Sequence, residues 1–205
     1  MFEGVKILLE LFFVTTIFSI PLGIAVAFVR LSNNKIASSV SSFYIWIMRG
    51  SPLLLQMMFF YYVLPIISPK LVFDQLTVAF IAFVINYAAY YAEIFRGGLL
   101  SIDKGQFEAA KVLGFDKVTM YRRIILPQLT KRVLPPVSNE LITLVKDTSL
   151  VYILGLNDLL RVATAASNRE ASLMPFAYAA VIYLVMTAIL TKLTALLEKR
   201  YSYYR

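Results

Sequence analysis

"EAAKVLGFDKVTMYRRIILPQ", Glu108 to Gln128, is a basic, amphipathic stretch set in the middle of an otherwise apolar chain. Phe107, Ala110 and Leu113 or Gly114 lie at helical spacing and give it one apolar face. Gly114 breaks that helix. Asp116 is placed to cap a second short helix, with Val118, Arg122 and Ile125 along one side. Pro127 ends or kinks this second helix. The expected unit is helix, tight turn, helix, with Phe115 at the tip as an apolar knob in a basic rim. Two readings fit that shape. An aromatic anchor ringed by charge is a common docking design, and a basic amphipathic hairpin also lies well on an anionic leaflet.

The surroundings decide what such a unit is for. Of the 205 residues 60% are hydrophobic and 16% charged, and the mean hydropathy is +0.74. A soluble domain is about half apolar and about a quarter charged, so the chain reads as a single-domain integral membrane protein, all-α and polytopic. There is no Cys and no His. Disulfides and thiolate chemistry are excluded, and so are the commonest general base and transition-metal ligand. The net charge of +8 would suggest nucleic acid in a soluble protein. In a membrane protein it marks cytoplasmic loops, and no nucleic-acid partner is expected.

Five stretches are apolar enough to span: 5–29, 53–67, 76–95, 133–156 and 175–197. The second is short, and its apolar flank Phe43 to Met48 extends it. The fourth is interrupted by Glu140, Lys146 and Asp147. Ala25-Val26-Ala27 resembles a signal-peptidase site, but the long apolar run before it and the lack of a basic leader favour a retained span. With the N-terminus outside, the segments 30–49, 96–132 and 192–205 lie inside and hold 3, 8 and 4 of the 20 Lys and Arg. Outside lie only Lys6, Lys70, Arg161 and Arg169. This asymmetry gives N-terminus out, C-terminus cytoplasmic, and places the opening stretch in the cytoplasm.

Glu108-Ala109-Ala110, then Gly114, then Ile124, then Leu126-Pro127 have the spacing of the EAA motif, and in this respect the chain resembles the permeases of ABC importers. "RGSPLLLQ" (49–56), "NYAAYYAEIFRGG" (86–98) and "KDTSL" (146–150) are similar to the polar amino-acid branch (histidine, glutamine, arginine or cystine) of that family, and the resemblance covers nearly the whole chain. It implies that the loop 104–128 is a coupling helix for a separate ATPase, with Glu108, Ala109, Ala110, Gly114, Phe115, Ile124, Leu126 and Pro127 as coupling residues. It implies two ATPase subunits carrying ATP and Mg, a second permease copy or paralogue, an extracytoplasmic solute-binding protein, and a bacterial inner membrane as location. No G-x-x-x-x-G-K-[ST] occurs, so no P-loop and no cofactor are expected in this chain.

Polar residues within spans point to function or to helix seams. Asn86, Tyr90, Glu93 and Gly97 share one face of the third span. Asn86 is placed to bond a carboxylate or amide, and Glu93 to neutralise an ammonium or to pair with Arg96. The alternative is a helix seam that Gly97 and Gly98 draw close. Lys146 and Asp147 point to different faces, as substrate contacts or as a gate, while Glu140, Thr143 and Asp147 share a side. Gln56 lines the pathway or bonds another helix. Arg49-Gly50-Ser51-Pro52 reads as a helix start capped by Ser51, with Arg49 an inner-leaflet anchor. Lys6 and Glu10 form a local ion pair. Phe59 to Tyr62 and the tail 198–205 read as interfacial anchors.

Three functions are weighed. The first is the membrane subunit of an ATP-driven polar amino-acid importer, with no catalytic residue and no metal. The second is an ion-coupled transporter or channel with Glu93, Glu140 and Asp147 as a carboxylate relay. The third is a membrane enzyme built on Glu93 with Tyr90 or Lys146 with Ser149, which no motif supports.

Overall fold

The computed structural model describes residues 1–201, so the end of the expected tail anchor, 202–205, lies outside the described residues. Among the described residues every regular element is helical. Helix α1 (Phe2–Arg30) is followed by α2 (Lys35–Gly50), α3 (Leu53–Met58), a π-helical turn (Phe59–Val63) and α4 (Leu64–Ile67). Helix α5 (Gln75–Leu100) leads into α6 (Lys104–Val112), α7 (Lys117–Met120), a second π-helical turn (Tyr121–Ile125) and α8 (Leu126–Asp147). A 3₁₀ segment (Thr148–Leu154), α9 (Leu159–Glu170) and α10 (Met174–Tyr201) complete it.

Among the described residues helices α1, α5 and α10 are each long and apolar enough to cross a bilayer, and the number is up to five if each of two bent pairs counts as one span. One pair is α2 with α3–α4, bent by 107°. Pro52 cannot donate to α2 and pushes Ser51 out of the helical region, to φ −121° and ψ 147°. Phe43 to Met48 therefore lie in α2 and join the helix that follows only across this bend. Nor does Ser51 cap α3, which starts at Pro52 without a side-chain cap. Its Oγ donates to the Ile47 carbonyl at 2.7 Å, closing α2. The second pair joins the α8 rod to α9 at 59°.

Of the two outcomes expected at Pro127, an end or a kink, the end is ruled out: the proline sits in the first turn of α8 directly after the π-helical turn. There the Leu126 N–H reaches back to the Tyr121 carbonyl, five residues away, and the wider turn accommodates a residue that has no N–H to give to the carbonyl four positions back. The same device precedes Pro65, where Leu64 N–H bonds to Phe59. The wide turn also shifts the helical faces. Val118 and Arg122 are exposed while Ile125 is buried, so these three do not share a side. Ile125 packs instead with Met120.

Packing uses small residues, as helices need in lipid, where close contact rather than hydrophobic expulsion holds them together. Ala79, Ala82, Ala88, Ala89 and Ala92 of α5 are all buried. Gly23 of α1 lies against them so closely that a Cβ there would stand 2.6 Å from Tyr91 Cβ and 2.9 Å from the Ala88 carbonyl oxygen. Around this seam Leu11, Met57, Phe83, Tyr87, Tyr91, Leu144 and Val151 form the main core. Helix α10 stands outermost and buries little beyond Pro175, Ala179 and Thr194.

Candidate functional site

A cavity of about 310 Å³ opens where three elements meet. The break before α3 contributes Ser51, Pro52 and Leu53. The middle of α5 contributes Asn86, Tyr87 and Tyr90, and the end of α8 contributes Glu140, Thr143 and Asp147. A larger hollow of about 710 Å³ lies beside α9, lined by Arg161, Arg169 and Glu3 among others. The smaller cavity is the better candidate, because its walls are the two helices that the loop 104–128 joins.

Behind the wall, Gln56 and Asn86 clamp the bend. Gln56 Nε2 donates to the carbonyls of Met48 (3.0 Å) and Ser51 (3.2 Å) and to Ser51 Oγ (2.8 Å). Asn86 Nδ2 donates to the Met48 carbonyl at 2.9 Å and to Gln56 Oε1 at 3.0 Å. Both amide nitrogens are therefore engaged within the fold. Among the described residues nothing donates to Asn86 Oδ1, so what Asn86 offers the cavity is an acceptor. That atom suits an ammonium or guanidinium and cannot serve a carboxylate.

Asp147 accepts a hydrogen bond from Tyr87 Oη at 2.8 Å. Tyr87 is buried and stacks on Phe83 with ring centroids 6.3 Å apart, which fixes the phenol that orients Asp147. Sequence reading missed Tyr87, since a tyrosine on an apolar helix carries no signal until its partner on α8 is placed. Tyr90 lines the cavity with the Arg49 guanidinium 5.2 Å from its ring centre.

The remaining candidates lie elsewhere. Glu93 is bound bidentately by Arg96 at 2.9 and 2.7 Å and does not line the cavity. Lys146 is exposed on another face from Asp147. Of the two glycines, Gly98 lies against Val133, where a Cβ would come within 2.5 Å of Cγ1, whereas Gly97 meets nothing within 4 Å. Lys6 and Glu10 pair at 3.7 Å on the surface.

Residues 102–129 form a second unit with its own small core. Ile102, Ala110, Met120 and Ile125 are buried together, with Leu99, Phe107, Ile124 and Leu129 around them. This core joins the end of α5 to the start of α8. Gln128 Nε2 donates to Gln106 Oε1 at 3.1 Å, and Arg132 donates to the carbonyl and hydroxyl of Ser101. Gly114, at φ 76°, closes α6 in a Schellman motif, with Phe115 N–H bonding to the Ala110 carbonyl and Gly114 N–H to that of Lys111. Asp116 caps α7 through Val118 N–H at 3.0 Å and Thr119 N–H at 3.3 Å. The hydrogen bonds from Thr119 hold its carboxyl below the usual carboxylate range. Glu108 and Ala109 face outward while Ala110 is buried. The exposed apolar surface is broader than a lone Phe115 tip: Val112 (87% exposed), Leu113 (71%) and Val118 (72%) surround Phe115 (40%). Leu126 is half exposed, and Pro127 and Ile124 are partly covered.

Helices throughout the described residues, several of them of bilayer length, with a polar cavity between them and an apolar-tipped helical loop, have the form of a polytopic membrane protein. Comparison places it more closely. Residues 19–203 match the model of the "binding-protein-dependent transport system inner membrane component" family, and the chain belongs to that family. It is 37% identical to the arginine transport system permease protein ArtQ of Bacillus subtilis, over 97% of this chain and 90% of that one. It is 36% identical to the glutamine transport system permease protein GlnP of Escherichia coli, over 97% and 91%. Among solved structures it is similar to an amino acid ABC transporter crystallised with histidines (TM-score 0.86, 34% identity, 97% and 92% covered). The methionine transporter MetNI in an inward-facing state shares the fold (TM-score 0.75, 17% identity, 98% and 94% covered). The family is one of transport permease subunits, and curated relatives of this chain are amino-acid permeases.

Proposed function

We propose that the chain is the pathway-forming subunit of an ATP-driven importer of polar amino acids, working as a dimer or with a paralogue and driven by separate ATPase chains that carry ATP and Mg. The observation that carries the reading is mechanical. The core around Ala110, Met120 and Ile125 ties the inner ends of α5 and α8 together, and these same helices supply Asn86, Tyr90, Glu140 and Asp147 to the cavity. A push on the loop 104–128 is thereby delivered to both walls at once. The exposed Val112, Leu113, Phe115 and Val118 form the surface that seats in the ATPase. In this reading Glu108, Ala109, Ala110, Gly114, Ile124, Leu126 and Pro127 shape that surface and its exit into α8.

The cavity favours a positive group. Glu140 and Asp147 bring two carboxylates, and Asn86 Oδ1 adds an acceptor. An amino acid's ammonium and, where present, its cationic side chain meet these groups. Its carboxylate faces the start of α3 after Pro52, where the first N–H groups of a helix have no helical acceptor. Gln56 acts by holding the bend, and Lys146 and Glu93 act outside the cavity, as gate or anchor. The relatives' names, arginine and glutamine permeases, agree with this class. The positive-inside asymmetry supports an outer N-terminus and a loop on the cytoplasmic side of a bacterial inner membrane, with a solute-binding protein delivering the amino acid from outside.

Native mass spectrometry of the complex extracted from its own membrane tests this. Two copies of the chain, or one with a related permease, bound to two ATPases is the expected mass. A chain that emerges repeatedly without an ATPase overturns the reading and returns the carboxylates to an ion-coupled relay.

A further inference from the structure

Arg49 has no part in the scheme so far, and its surroundings give it one. It stands at the end of α2, one residue before Gly50 and the bend. Among the described residues it enters no ion pair or hydrogen bond, and only the Tyr90 ring holds it, at 5.2 Å. Tyr90 lines the same cavity as Glu140, so the guanidinium 5.2 Å from its ring centre stands at the edge of that cavity, and Glu93 lies three residues on along α5. Glu93 is already taken by Arg96. Glu140 has no ion-pair or hydrogen-bond partner among the described residues, and Asp147 has only the neutral Tyr87. Lys146, next to Asp147 in the chain, is a cation near that carboxylate but does not line the cavity, so Arg49 is a loosely tethered cation beside a cavity whose Glu140 has no paired cation among the described residues.

Carboxylates within a membrane are costly unless a cation compensates them. A guanidinium is weakly hydrated and stacks on aromatic faces, so it can wait on Tyr90 and still lean toward Glu140. A substrate cation entering the cavity meets the same carboxylates, and the two positive charges repel. We infer that Arg49 is the specificity-determining counter-ion of the cavity: it compensates Glu140 while the cavity is empty and gives way to the cationic side chain of an amino acid. The inference rests on the importer reading and adds to it. A neutral amino acid brings no side-chain charge to displace Arg49, so the residue acts on cationic substrates and is indifferent to neutral isosteres. It sets how tightly a cationic amino acid is held, and so how readily it leaves.

The test uses the full chain in complex with its ATPase, in nanodiscs, with calorimetric binding of arginine and of citrulline, its uncharged isostere. Removing the competing charge in Arg49→Gln tightens arginine about tenfold at low salt and leaves citrulline within about twofold. Arg49→Lys keeps the charge and restores wild-type arginine binding. Arg49 is exposed, so neither variant disturbs a packed core. Arginine and citrulline shifting together reveals a structural role and overturns the inference, as does arginine binding that is unchanged or weaker in Arg49→Gln. If the wild-type complex binds neither amino acid, the cavity reading itself falls; if it binds arginine and only the Arg49→Gln effect is missing, that reading stands and the role of Arg49 does not.

Discussion

The clamp at the α2–α3 bend gives the sharpest energetic prediction. Asn86→Ala removes two hydrogen bonds, to the Met48 carbonyl at 2.9 Å and to Gln56 Oε1 at 3.0 Å. The Met48 carbonyl keeps its bond from Gln56 Nε2 at 3.0 Å, but Gln56 Oε1 is left with no donor. Hydrogen bonds between membrane helices are worth about 0.6 kcal/mol each on average. A buried orphaned acceptor costs about 1–3 kcal/mol more, toward the low end where water can reach it. Asn86 borders the cavity, so water relieves part of that cost and the lost volume joins an existing space. The expected destabilisation is about 2–3 kcal/mol. Gln56→Ala should cost a similar amount, and the double variant less than the sum, with a coupling of about 1 kcal/mol. Reversible unfolding of the purified chain in mixed micelles, run as a full double-mutant cycle, measures this. Costs that add without coupling, or an Asn86→Ala cost below about 0.5 kcal/mol, refute the clamp.

Three further outcomes are expected. Gly23→Val should destabilise by about 1–3 kcal/mol, because the new Cβ meets Tyr91 Cβ and the α5 backbone, neither of which can swing away; a thermal midpoint equal to wild type would contradict the seam. Phe115→Asp should leave insertion and thermal stability unchanged while the ATPase no longer co-purifies, and full transport by that variant would sink the docking surface. The carboxyl of Asp116 titrates below its unfolded value because Thr119 bonds it, so its capping stability is present at neutral pH and fades as pH falls through the lowered pKa. Amide exchange at Val118 and Thr119 should accordingly gain protection from low to neutral pH, and Asp116→Asn should flatten that profile.

Hydropathy was enough to announce a polytopic helical protein, because a bilayer demands long apolar helices whatever their arrangement. The spacing of Glu108, Ala110, Gly114 and Pro127 was enough to announce a helix–turn–helix unit, because Gly at positive φ and an Asp cap are local chemistry. The face assigned to Val118, Arg122 and Ile125 failed because it assumed 3.6 residues per turn, and the π-helical turn before Pro127 is one residue wider. The apolar flank Phe43 to Met48 was legible as part of the membrane-embedded chain, but the 107° bend that sets α2 apart from α3–α4 was not, because Pro52 only breaks the helix while Gln56 and Asn86 bond across the break.

The candidate site divides along the same line. That Asn86, Tyr90, Glu140 and Asp147 are polar groups too costly to face lipid was written in the chain. Which of them meet was not. Tyr87 reaches Asp147 from 60 positions away, and Asn86 reaches Met48 across 38. Glu93, as prominent in sequence as Asp147, is neutralised within its own helix by Arg96 three residues on. Local geometry settles an i, i+3 pair, so that outcome was open to sequence reasoning. A contact between α5 and α8, or the approach of Arg49 to Tyr90, depends on how helices cross and where they bend. Only the packed tertiary structure fixes those distances, because many weak seams such as Gly23 against Tyr91 act together to set them.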